Sequence, residues 1–117
     1  MEYRKFGDTY LVRMDRGEEI IGRLTELCRK EDIRLAQVDA LGAVDHAVVS
    51  VYDVAAQTFY KKEFNEAMEI SNLCGTVSRK EGEVYIHLHV TLCDRNLCAH
   101  GGHANALRVS ATCEMTV

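Results

Sequence analysis

Between Val84 and Cys93 the sequence VYIHLHVTLC alternates without a break, and this constrains the fold more than any other feature. Val84, Ile86, Leu88, Val90 and Leu92 form an apolar set of period two, and Tyr85, His87, His89, Thr91 and Cys93 form the intervening set. An extended strand places these sets on opposite faces. The apolar face demands a core, so the chain must supply other strands beside this one and something to cover it.

The remaining sequence offers those partners. Tyr10–Met14 (YLVRM) predicts a first strand, ended by Asp15-Arg16-Gly17. Glu18 to Lys30 is the single helical stretch. Ile20, Ile21, Leu24, Leu27 and Cys28 repeat at i, i+3, i+4, i+7 and i+8, with acids at the start and Arg29-Lys30 at the end, where the helix dipole favours them. Cys28 on this stripe reads as a small buried hydrophobe. Strands follow at Arg34–Leu41, His46–Asp53, Gln57–Phe64 and Met68–Ser78, with Gly42 as a backbone device and Gly75 as a bulge or a tightly approached position. The chain ends in a half-buried strand, Ala106–Val117, in which Leu107, Val109, Ala111, Cys113, Met115 and Val117 alternate with polar residues. The expected fold is α+β: a mainly antiparallel sheet of about six or seven strands packed with one main helix, in a single domain spanning residues 1–117.

Composition narrows the function classes. An apolar content of 47% over 117 residues supports a genuine core. The net charge of −4, from 14 basic and 18 acidic residues, and the absence of a long basic run argue against unaided binding to nucleic acid. Met1-Glu2-Tyr3-Arg4-Lys5 leads into no apolar signal core, and no run is long enough for a membrane span. With five cysteines, an odd number, the expectation is a cytoplasmic protein with reduced thiols. Long strands with few breakers leave edges that self-association would cover.

The polar face of the opening strand carries the chemistry. Val84 to His103 holds four of the five histidines. His87 and His89, at i and i+2, point the same way with Cα atoms about 6.6 Å apart, so both imidazoles can converge on one ion. His103 follows the Gly101-Gly102 pair, whose freedom would bring it back over the strand. His87, His89 and His103 therefore make the preferred triad, suited to zinc or another divalent transition metal and leaving a coordination position open. A closed structural site could instead use Cys93, Cys98, His100 and His103, although that spacing matches no standard finger or ribbon. Cys93 or Cys98 beside His100 offers a thiol nucleophile. The plain alternative is that the histidines are polar residues of a solvent face or of an interface. Glu69 and Tyr85 are the candidate acid–base residues if the site is catalytic, and Glu114 is a further strand carboxylate. No Gly-rich phosphate loop and no nucleophile elbow is present.

Taken together, Leu41-Gly42-Ala43-Val44, Tyr52-Asp53, Met68-Glu69-Ile70 with Gly75, His87-Leu88-His89-Val90, Gly101-Gly102-His103 and the final Glu114 resemble the Plants and Prokaryotes Conserved (PPC) domain over nearly the whole chain. The resemblance implies an α+β fold assembled as a homotrimer. It also matches His87, His89 and His103 to the histidines associated with a bound metal, zinc foremost, and leaves His100, Cys93 and Cys98 outside the pattern. Plant relatives carry this domain beside AT-hooks and use it to associate with itself and other nuclear proteins; prokaryotic relatives bear the label of predicted DNA-binding protein. The present chain has no proline, hence no Arg-Gly-Arg-Pro hook. Glu66-Ala67-Met68-Glu69-Ile70 stands where plant members have Gly-Arg-Phe-Glu-Ile, so the plant partner contacts do not transfer. The implied function is a metal-binding, binding or regulatory module that acts through protein partners, with direct DNA binding weakly supported. The alternative is a metal-dependent enzyme acting on a small molecule.

Overall fold

A computed structural model describes all residues from Met1 to Val117. The chain runs β1 (Glu2–Phe6), β2 (Thr9–Asp15), α1 (Ile20–Lys30), β3 (Ala36–Asp53), β4 (Thr58–Phe64), β5 (Met68–Lys80), β6 (Glu83–Cys93) and β7 (Ala99–Thr116). The strands form one antiparallel sheet in the order β1-β2-β7-β6-β5-β3-β4, and β7 also pairs with β3. That extra pairing makes β3, β5, β6 and β7 a closed ring. Closure is possible because β3 and β7 are long enough to divide their length between partners. The first half of β3 lies against β5 and its second half against β4, while β7 pairs with β6 at its start and β2 at its end. Register shifts in the β3–β7 ladder, near Gly42, Val44 and Val48, bend the two strands.

The apolar faces meet inside. Val38, Val44, Leu73, Val77, Leu88, Leu92, Leu107 and Val109 are fully buried, together with Ile20, Leu24, Leu27 and Cys28 of the helix. α1 is fixed at both ends. Glu19 caps it, its carboxylate accepting from Gly22 N at 2.7 Å and also from Leu107 N of β7 at 3.1 Å, which ties the helix start to the sheet. At the other end Asp32 takes a left-handed conformation (φ 48°) and Ile33 N bonds Cys28 O at 2.9 Å, closing the last turn. No helix is long and apolar enough to cross a membrane.

The α+β expectation holds, but several boundaries differ. Tyr10–Met14 is the second strand, not the first. β1 precedes it as an edge strand whose residues are mostly exposed, so burial left no periodic mark on its sequence. The two segments expected around Gly42 are one strand, β3, because Gly42 marks a crossing rather than an end: a Cβ there would lie 2.8 Å from Cys113 Cα. Gly75 likewise serves close approach and not a bulge, since its ladder with β6 runs in register. The register shift in β5 comes earlier, between Ile70 and Asn72.

Candidate metal centre

The apolar face of β6 fixes the direction of its histidines. With Leu88 and Val90 held in the core, His87 and His89 must project from the outer face of the sheet. His103 joins them from the neighbouring strand. It is the residue directly opposite His89 in the β6–β7 ladder, and directly opposed residues share a face. The ring centroids lie 5.3 Å apart for His87–His89, 5.0 Å for His87–His103 and 5.6 Å for His89–His103. One ring nitrogen from each comes within 4.8 Å of the others.

These donors fit a divalent metal. Imidazole nitrogens about 2.0 to 2.1 Å from one ion in tetrahedral array lie about 3.3 Å from one another, a distance that small side-chain rotations would reach. His87 and His89 are exposed and His103 half-buried, so the open side of the cluster faces outward. Burial and, after it, the neighbouring His87 and His89 lower the pKa of His103, favouring the neutral ring that a metal requires.

The glycine pair is not the flexible loop that the sequence suggested. Gly101 and Gly102 lie within β7, where the strands press on them. A Cβ on Gly101 would sit 2.7 Å from Val90 O and one on Gly102 2.5 Å from Ser50 O. The glycines thus let β7 lie tightly between β6 and β3, and register alone sets His103 against His89.

The other candidates separate from the triad. His100 is opposite Leu92 and shares its inward face, with its ring 5.1 Å from that of Phe64. Its Nε2 is 3.0 Å from Asp94 Oδ2, while Asp94 Oδ1 accepts from Asn96 N and Cys98 N and shapes the β6–β7 turn. The hydrogen bond to His100, then that from Cys98 N, holds the Asp94 carboxyl below its usual range. Cys93 contacts Ser71 Oγ at 2.9 Å, and so Cys93, Cys98, His100 and His103 do not converge. Glu69 is opposite Cys93, four residues along β6 from His89 and thus about 13 Å away. Tyr85 stays beside the cluster, its ring 6.4 Å from that of His87. Glu114 is opposite Arg13 and Leu41, lining a broad groove of about 1430 Å³ at the far end of β7 with Tyr3, Leu11 and Asp39. All five cysteines are free, and burial pushes the thiols of Cys28 and Cys113 up to about 11 and about 12.

Three neighbours of the triad escaped the sequence reading. Cys74 is opposite His89, Ser50 is opposite His103, and the Phe59 ring lies 6.2 Å from His103 and 4.8 Å from Tyr52. Each comes from another strand, and only the cross-strand register could have revealed it.

Solved structures of other proteins share this fold. A candidate DNA-binding protein of Bacteroides thetaiotaomicron is 29% identical, with a TM-score of 0.96 over 99% of this chain and 81% of that one. A metal-containing protein of Archaeoglobus fulgidus is 33% identical, with a TM-score of 0.88 over 98% of this chain and 80% of that one. A plant- and prokaryote-conserved (PPC) protein of Pyrococcus horikoshii is 27% identical, with a TM-score of 0.89 over 98% and 79%. No curated protein matches the sequence. The profile of the Plants and Prokaryotes Conserved (PCC) domain matches residues 1–117, and the chain belongs to that family.

Proposed function

We propose that this chain is a homotrimeric metal-binding module of the cytoplasm that acts in regulation through protein partners. The observation that carries the metal is the convergence of His87, His89 and His103 on one outward-facing point. The metal-containing character of the Archaeoglobus fulgidus relative supports it. Zinc suits the three neutral imidazoles, with other divalent transition metals as alternatives. Two features favour self-association: the edge strands β1 and β4, and the exposed Phe6, Leu11 and Leu41 on one part of the surface with Tyr52 and Phe59 on another. Direct DNA binding is disfavoured by the −4 charge and the missing hook.

The test is elemental analysis of protein purified without a histidine tag. Wild type should carry close to one metal per chain, and His87→Ala/His89→Ala almost none. Equal metal in both would remove the reading. Sedimentation with and without a chelator tests the trimer separately, and a DNA titration at low salt should find no affinity that weakens with added salt.

The open side of the triad favours one second reading, a metal-dependent enzyme. A bound metal would there polarise a carbonyl or phosphoryl oxygen or activate water. Tyr85 beside His87 is the acid–base residue for this reading; Glu69 stands too far off to serve. Turnover of a small molecule lost both on chelation and in Tyr85→Phe would establish it. Turnover that survives chelation would dismiss it.

A further inference from the structure

Ser50 is the only polar residue among the 27 buried ones, at 2% exposure, and its Oγ has no hydrogen-bond partner. Buried hydroxyls are paired in the large majority of cases, so an orphan points to a partner that arrives in another state of the site. Its position limits what that partner can be. Ser50 is directly opposite His103 in the β3–β7 ladder and directly opposite Lys61 in the β3–β4 ladder. The close seat of Gly102 on the Ser50 backbone holds β7 and β3 together at this point. The Oγ is sealed from solvent, so a free ligand or water has no route to it without a side-chain movement. Lys61 and His103 flank it, and of the two the half-buried His103 ring, seated on the strand that Gly102 presses against Ser50, carries the N–H that can turn to meet it.

We infer that Ser50 is the positioning residue for His103, its hydroxyl accepting the Nδ1–H of the imidazole while Nε2 faces the metal. This rests on the metal-binding reading above. A neutral imidazole has one lone pair for a metal and one N–H on the other nitrogen, and ligating histidines almost always place that N–H on an acceptor. Opposed Cβ atoms lie about 4.5–5.5 Å apart. Side chains on a strand rise off the sheet rather than straight toward each other, so Oγ, one bond from its Cβ, and Nδ1, two bonds from its own, can settle at hydrogen-bond distance. Nε2 lies further out along the ring, on the side of the other two histidines. His87 and His89 have Thr76 and Cys74 opposite them on β5, both exposed, so only His103 has a buried acceptor beside it.

Two measurements on untagged protein test this. In ¹⁵N-resolved spectra of the zinc-loaded wild type, His103 should be the Nδ1–H tautomer with a slowly exchanging ring proton. In zinc competition titrations Ser50→Ala should bind about 10- to 100-fold more weakly, and Ser50→Thr, which keeps the hydroxyl, should recover most of that loss. Circular dichroism spectra matching wild type would show that the variants fold. Ligation of His103 through Nδ1 in the wild type overturns the inference without any variant. Unchanged zinc affinity in Ser50→Ala also overturns it while leaving the metal reading standing. A wild type that takes up no zinc overturns both.

Discussion

Replacing Gly75 with alanine tests whether close strand contact, rather than backbone flexibility, sets the histidine geometry. A Cβ at Gly75 would lie 2.9 Å from both His87 C and Leu88 Cα and closer still to the His87 carbonyl oxygen. All three atoms belong to the backbone of β6, so no side chain can swing away, and β5 and β6 must separate by about 1 Å or break register. Overpacking of this kind costs about 1–3 kcal/mol, and the positive φ of 159° adds strain for a residue with a Cβ. The expected destabilisation is about 2–4 kcal/mol, or a fall in Tm of about 8–16 °C for a chain of this size. Gly82→Ala is the control. Its φ of +83° is equally foreign to alanine, but nothing lies within 4 Å of the added carbon, so only about 1–2 kcal/mol is expected. Urea unfolding at matched protein concentration, with m unchanged, measures both. Because the displaced atoms belong to His87 and its neighbour, zinc affinity should fall in Gly75→Ala and not in Gly82→Ala. Equal losses of stability in the two variants would refute the reasoning.

Other outcomes follow from charge and burial. Burial acts to raise the pKa of Glu18, but hydrogen bonds from the Met1 ammonium (2.7 Å), Asp15 N (2.8 Å) and Arg23 Nε (2.7 Å) lower it to about 2 from 4.5. A depressed carboxyl contributes stability that is present above its unfolded pKa and lost as pH falls toward the folded one. Glu18→Gln should therefore cost about 1–2 kcal/mol at pH 7 after solvent screening, and much less at pH 3; a cost independent of pH would contradict this. In the native protein a thiol reagent should modify the exposed Cys74 and Cys98 rapidly and leave the buried Cys28 and Cys113 untouched until unfolding; early loss of all five would show that the core opens. Zinc release on acidification should follow protonation through the imidazole range, because ligating rings must be neutral; retention of zinc well below that range would point to other ligands.

What the sequence made legible was local. Alternation in Val84–Cys93 separated Leu88 and Val90 from His87 and His89, and the stripe from Ile20 to Cys28 located the helix within two residues of its start. Both signals arise from burial of one face, and period reports burial directly. β1 lacked such a signal because it is an edge strand with little to bury. Glycine misled in one place and informed in another. Gly101-Gly102 resembled a loop because glycine disfavours strands, yet here its value is the missing side chain, and the same property correctly marked Gly75 as a point of close approach. Ser50, Cys74 and Phe59 remained invisible for a different reason. Period assigns a residue to a face but not to a neighbour across the ladder.

That distinction explains how an exposed triad can be held without a surrounding cage. The side-chain period in a strand is two, so sliding β7 by one residue against β6 would put Gly102 opposite His89 and turn His103 inward. The same slip would send Leu107 and Val109 outward and set Arg108 opposite Val44. At about 1.5–3 kcal/mol for each large apolar side chain, the core forbids the alternative far more strongly than any contact among the histidines could. Gly101 reinforces the register, since the slip would set the Cβ of His100 in its place, against Val90 O. The site is thus oriented from beneath, by the packed face of the strands that carry it. Only the rotation of each imidazole about its own bonds is left unfixed, and for His103 the buried hydroxyl of Ser50 is positioned to fix it.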